Sequence, residues 1–79
     1  MAVVKIYTTP SCVFCKMAKA FFKEQKIEYQ ELDIATNAKA RDEMIQRSGQ
    51  FGVPVIDIDG KLVIGFDKRQ LLGLLVPNA

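Results

Sequence analysis

The chain has 79 residues, 49% of them hydrophobic and 25% charged, with a net charge of +2. That composition describes a single small domain spanning 1–79, neither disordered nor disulfide-dense, near the lower size limit at which one core suffices. The low net charge, without a basic run flanked by aromatics, gives no reason to expect nucleic acid as a partner.

Ala2–Tyr7 is rich in β-branched residues and ends at turn residues, which predicts a central, buried strand. Thr8–Ser11 is the turn that follows, and Ser11 or Cys12 is the expected helix cap. A first helix is predicted from Val13 to Gln25, with Phe14, Met17, Ala18, Phe21 and Phe22 at helical spacing on its inner face. Lys16, Lys19, Lys23 and Lys26 recur along another face and read as a solvated stripe. A second strand is expected within Ile27–Asp33, from Glu28 to Asp33. Strand, helix and strand with short links form a right-handed parallel unit.

Thr36 and Asn37 offer caps for a second helix, Ala38–Arg47, with Ala40, Met44 and Ile45 turned inward. Gly49 is its left-handed stop. Pro54 has no N–H for a ladder and must start or edge the next strand. From the residues alone, an ordinary trans Val53–Pro54 bond is the expectation. Val55–Ile58, Asp59-Gly60 and Lys61–Ile64 read as a β-hairpin, because Asp-Gly favours a two-residue turn. Gly65-Phe66-Asp67 is a turn, with Asp67 capping a last helix from Lys68 to about Val76. Gln70 sits three residues on, as in a capping box. Leu71, Leu72, Leu74 and Leu75 would pack that helix on the sheet, and Pro77 ends it.

Cys12 and Cys15 are the only cysteines. They stand two residues apart where the first strand gives way to the first helix, the context of a redox-active pair. The spacing brings the sulfurs within bonding reach in one helical turn. The first cysteine meets unpaired backbone N–H groups and the positive end of the helix dipole, which favour the nucleophilic thiolate. Other uses of the pair stay open. Zinc takes four ligands, and with no histidine and no third cysteine a metal or cluster would have to be shared between chains. A structural disulfide would close a very short loop and constrain the unfolded chain little. Met1–Tyr7 is too short for a signal core and Leu71–Val76 too short for a bilayer span, so cytoplasm rather than membrane is expected.

The order β-α-β-α-β-β-α, the Cys-x-x-Cys, the Val53-Pro54 before the third strand and the Gly65-Phe66-Asp67 before the last helix together resemble a glutaredoxin over nearly the whole chain. The resemblance implies an α/β, thioredoxin-like fold with a four-stranded mixed sheet flanked by three helices. It assigns attack on a disulfide to Cys12 and resolution of the mixed disulfide to Cys15. It makes the bond before Pro54 cis. Val53 would offer its backbone to the thiol substrate like a short added strand. Phe14 and Asp67 fall at the remaining substrate or glutathione positions.

The chain departs from the family pattern at several of these. Val13-Phe14 replaces the usual Pro-Tyr, Thr9 a frequent lysine, Gly52 a threonine, and Lys68 the second of two acids. Val13 and Gly65-Phe66 look more like the redoxins that serve ribonucleotide reductase and draw electrons from thioredoxin reductase.

By this resemblance the protein is a monomeric thiol–disulfide oxidoreductase and electron carrier. It holds no permanent cofactor and no metal. From the residues themselves, Lys16 beside the cysteine pair offers electrostatic support near the thiolate. Its partners would be disulfide-containing proteins or glutathione, the latter as reductant, with thioredoxin reductase and ribonucleotide reductase as further candidates. An alternative is a dimer that carries an iron–sulfur cluster with glutathione thiols. A redox-inert binding module that kept the fold is a third reading.

Overall fold

The computed structural model describes residues 3–75. Ala2, Val76 and Pro77, assigned above to the ends of the first strand and last helix, lie outside them. The elements follow the expected order: β1 (Val4–Thr8), α1 (Val13–Glu24), β2 (Gln30–Asp33), α2 (Ala38–Ser48), β3 (Val55–Ile58), β4 (Lys61–Ile64) and α3 (Lys68–Leu75). The strands form one sheet in the order β2-β1-β3-β4. β1 runs parallel to β2, with Ile6 beside Glu31 and Thr8 beside Asp33. It is antiparallel to β3, with Ile6 opposite Ile56. β3 and β4 close the hairpin, with Ile58 opposite Lys61.

The two-residue alternation of a strand sends its side chains to opposite faces. Val4 and Ile6 of β1, with Ile56, Ile58 and Val63, meet Ala18, Phe21 and Phe22 of α1 and Leu71 of α3. Tyr7 and Val55 face the other way, into a smaller core with Ile34, Ala40 and Met44. Both faces of the central strands are thus covered, which is why β3 is buried along its length. The one carboxylate in that strand, Asp57, is buried as an ion pair with Arg47 of α2 at 2.6 Å.

Several expectations shift. Thr8 belongs to β1 and not to the turn, because its carbonyl takes the Ile34 N–H at 2.9 Å and extends the ladder. β2 starts at Gln30 rather than Glu28. Ile27 and Tyr29 instead pack against the α1 core, with Tyr29 5.2 Å from the Phe22 ring. α1 ends at a left-handed Lys26 (φ 58°), where the Ile27 N–H returns to the Phe22 carbonyl at 2.8 Å. Gly49 caps α2 in the left-handed conformation, as expected. Asp59 and Gly60 both take positive φ, the geometry a two-residue hairpin needs. Asp67 caps α3 by accepting the Gln70 N–H at 3.1 Å.

Phe14 and Met17 are not core residues. They are 58% and 45% exposed. The buried face of α1 is centred on Cys15, Ala18 and Phe22. Residues 14 and 17 each precede a buried position by one step, about 100° round the helix, and so fall off that face.

Candidate active site

The site begins at the end of β1, where the chain turns through Thr9–Ser11 to reach the sheet's α1 side. The Cys12 N–H donates to the Thr9 carbonyl at 3.3 Å and sets that turn. Cys12 is the N-cap of α1, with extended backbone, and its Sγ accepts the Cys15 N–H at 3.1 Å. A sulfur therefore does here what a serine or aspartate oxygen does at most caps. The first turn of α1 carries no acidic side chain to oppose negative charge on that sulfur. Charge on it is met by a backbone donor and the helix terminus.

The two thiols are free and differently placed, with Cys12 half-exposed and Cys15 buried. Burial pushes the Cys15 thiol from 9.0 up to about 12, and the hydrogen bond with Cys12 adds to the rise. A Thr9 backbone hydrogen bond and the Lys19 charge oppose it. One thiol is thus presented to solvent and the other is held back, protonated, one turn behind it.

The opposite wall is the segment between α2 and β3. The Gln50 side chain staples it, accepting the Gly52 N–H at 2.6 Å and donating to the Gly52 carbonyl at 3.0 Å. The next bond, Val53–Pro54, is cis. The residues alone favoured trans; the family resemblance implied cis. The Val53 carbonyl accepts the Cys12 thiol at 3.7 Å, so this loop and the α1 cap meet across the cysteine. The Gly65 N–H donates to the Pro54 carbonyl at 2.8 Å, which brings the turn leading to Asp67 to the same end of the sheet.

The structure thus brings Cys12, Cys15, Val53 and Pro54 together. Phe14 stands exposed two residues from Cys12, and Val13 (66%) and Phe51 (77%) are exposed nearby in the chain. Lys16 is exposed one turn into α1.

One cluster was not foreseen. Lys19, read as part of a solvated stripe, is turned onto the sheet. Its Nζ lies 2.9 Å from Glu31 Oε2, and the buried Thr8 hydroxyl donates to the same oxygen at 2.9 Å. Lys19 holds the Glu31 carboxyl below its usual range, and Glu31 raises Lys19 in return. No local pattern sets Lys19 apart from Lys16 and Lys23, because its partner Glu31 lies 12 residues on in another element.

A family model described as Glutaredoxin matches residues 4–63, which include both cysteines and the cis proline. The chain belongs to the glutaredoxin family. Its relatives include glutaredoxin 3 of Escherichia coli K12, 46% identical over 67 residues that make up 85% of this chain and 81% of that one. A glutaredoxin-like 8.6 kDa protein from the rubredoxin operon of Clostridium pasteurianum is 43% identical over 68 residues, 86% of this chain and 91% of the relative. The crystal structure of a glutaredoxin from Archaeoglobus fulgidus superposes with a TM-score of 0.85 at 26% identity, covering 95% of this chain and 87% of that one. The glutaredoxin described here therefore has the thioredoxin-like fold and is a thiol–disulfide oxidoreductase. No helix among its described residues is long and apolar enough to cross a membrane.

Proposed function

We propose that this glutaredoxin reduces protein or low-molecular-weight disulfides through Cys12 and Cys15 in two exchanges. The Cys12 thiolate attacks one sulfur of the substrate disulfide, forming a mixed disulfide and expelling the other sulfur as a thiolate that takes up a proton. Cys15 then loses its proton and attacks Cys12 Sγ. The mixed disulfide breaks, the second substrate thiol leaves, and a Cys12–Cys15 disulfide remains. Two electrons pass from the protein dithiol to the substrate.

The observation that carries this reading is the asymmetry of the pair. Cys12 is accessible and faces a backbone donor, while Cys15 is buried and protonated one turn behind. The Val53 carbonyl meets the attacked sulfur at 3.7 Å. By the family resemblance Pro54, Phe14 and Asp67 complete the substrate or glutathione site, and Lys16 adds positive charge near the thiolate. The domain works as a monomer in the cytoplasm, where a reducing pool keeps such a pair reduced.

The oxidised pair is returned to the dithiol by glutathione or by thioredoxin reductase, and ribonucleotide reductase is a candidate electron acceptor. The test is NADPH consumption coupled to a model disulfide, with thioredoxin reductase in one arm and glutathione plus glutathione reductase in the other. Turnover in one arm alone identifies the reductant. Silence in both overturns the reading.

A further inference from the structure

The proposed mechanism leaves one demand unmet. Cys15 must become a thiolate to resolve the mixed disulfide, yet it is 1% exposed. No histidine exists in the chain to take its proton.

The charged and polar groups around it come from several elements. On α1, Lys19 lies one helical turn beyond Cys15, a spacing that places the two side chains side by side. Lys23 is a further turn along. From β2, Glu31 meets Lys19 at 2.9 Å. From the end of β1, the buried Thr8 hydroxyl binds the same Glu31 oxygen at 2.9 Å. Tyr29 lies near Lys19, Cys12 adjoins Cys15, and Lys68 of α3 sits over the Phe21 ring, further along the helix. Among these, Lys19 is the cation that opposes the rise of the Cys15 thiol, to a smaller extent than the Thr9 backbone hydrogen bond does.

The clamp has a geometric consequence. A lysine on an exposed stripe would extend into water, where its charge is screened. Glu31 and Thr8 instead draw the Lys19 ammonium against the sheet, beneath the strand end that leads to the cysteine turn. Its side chain is 27% exposed, so its charge acts through partly protein surroundings.

We propose that Lys19, held against the sheet by Glu31 and Thr8, is a positioning residue for the resolving step: its fixed positive charge stabilises the Cys15 thiolate as that thiol attacks the Cys12 mixed disulfide. The inference rests on the roles proposed for Cys12 and Cys15. Lys19 stays an ammonium throughout. The Cys15 proton passes to water or buffer, the Cys15–Cys12 bond forms, and the bond from Cys12 to the substrate sulfur breaks.

The test separates the two exchanges in time. Reduced protein is mixed with dithiobis-nitrobenzoate, which releases one coloured nitrothiobenzoate when Cys12 attacks and a second when Cys15 resolves. The readouts are the ratio of second-phase to first-phase rate and the pH at which the second phase reaches half its limiting rate. Lys19→Gln raises the Cys15 thiol. Each tenfold loss of thiolate is offset about threefold by greater nucleophilicity, so the rate ratio near neutral pH falls about threefold for each tenfold loss.

The half-maximal pH moves up with it. Lys19→Arg restores both readouts, and Lys23→Gln, with the same change of charge one turn away, leaves both as in the wild type. Lys19→Gln with a wild-type ratio and half-maximal pH overturns the proposal. So does a Lys19→Gln protein in which both phases slow together without movement of that pH, since that is a packing effect. A wild-type protein that releases a single equivalent overturns instead the Cys12 and Cys15 roles on which the proposal rests, and is told apart by stoichiometry.

Discussion

Replacing Cys12 with serine isolates the buried thiol and measures how strongly the fold holds it back. Serine keeps the capping oxygen for the Cys15 N–H, so α1 retains its first turn. In the intact pair the Cys15 thiol rises from 9.0 to about 12, which at about pH 8 leaves roughly a thousandth as much thiolate as an ordinary thiol has. A thiolate of such high basicity is intrinsically more nucleophilic, by about 20- to 30-fold over that range, so the net suppression is about 30- to 50-fold. Burial is the largest cause and survives the substitution, whereas the contributions of Cys12 do not.

Cys12→Ser should therefore alkylate at Cys15 at least about tenfold more slowly when folded than when unfolded in guanidinium at the same pH. Steric occlusion adds to the difference. The assay is the rate of iodoacetamide labelling by mass spectrometry across a pH series. Folded and unfolded rates that coincide, or a folded profile that levels off near 9, would refute the argument that burial keeps Cys15 protonated until it is needed.

The same thiol makes stability depend on pH. Its folded value lies above its unfolded one, so its contribution is fully present below about pH 9 and is lost as pH rises through about 12. The stability difference between reduced wild type and Cys15→Ala, from urea midpoints, should shrink as pH climbs from 9; a flat difference contradicts this. Asp57→Ala removes the 2.6 Å Arg47 pair and the 2.7 Å bond to the Gly60 N–H that closes the hairpin. Arg47 keeps some access to water, so the expected loss is about 2–3 kcal/mol by chemical denaturation, and a loss below about 0.5 kcal/mol would mean the pair is solvated. Lys26→Gly relieves a side chain from a left-handed C-terminal position and should stabilise the protein by about 0.5–1 kcal/mol, read as a raised urea midpoint.

Much of this fold is legible because local chemistry and tertiary context agree. Asp59-Gly60 asks for positive φ and receives it; Asn37 and Asp67 start helices and Gly49 ends one, as their chemistry suggests. The failures share a different cause. Phe14 and Met17 are apolar at helical spacing, but periodicity does not say how far round a helix the sheet reaches, and α1 buries a narrower face than its composition offers. Lys19 looks like its neighbours Lys16 and Lys23 until β2 places Glu31 beside it, a partner 12 residues away. Asp57 in a buried strand is intelligible only once Arg47 is known to lie above it.

The site divides along the same line. The cysteine pair, its strand–helix junction and the cap are local, and were readable. The cis bond before Pro54 was not, since the residues alone make trans the default; only the joint pattern of Cys-x-x-Cys and Val-Pro, as a family resemblance, pointed to it. The asymmetry between the thiols was expected in outline from the helix terminus. Its physical basis, a sheet and helix closing over Cys15 while the Cys12 cap stays open, depends on packing.

The central claim is that Cys12 attacks and Cys15 resolves. The most direct measurement is intact-mass analysis of Cys15→Ser and Cys12→Ser after exposure to a disulfide peptide, without reductant. The account predicts that Cys15→Ser accumulates one peptide adduct, mapped to Cys12 and released by added thiol, while Cys12→Ser stays essentially unmodified over the same time. An adduct forming on Cys15 of Cys12→Ser as fast as on Cys12 of Cys15→Ser would contradict it.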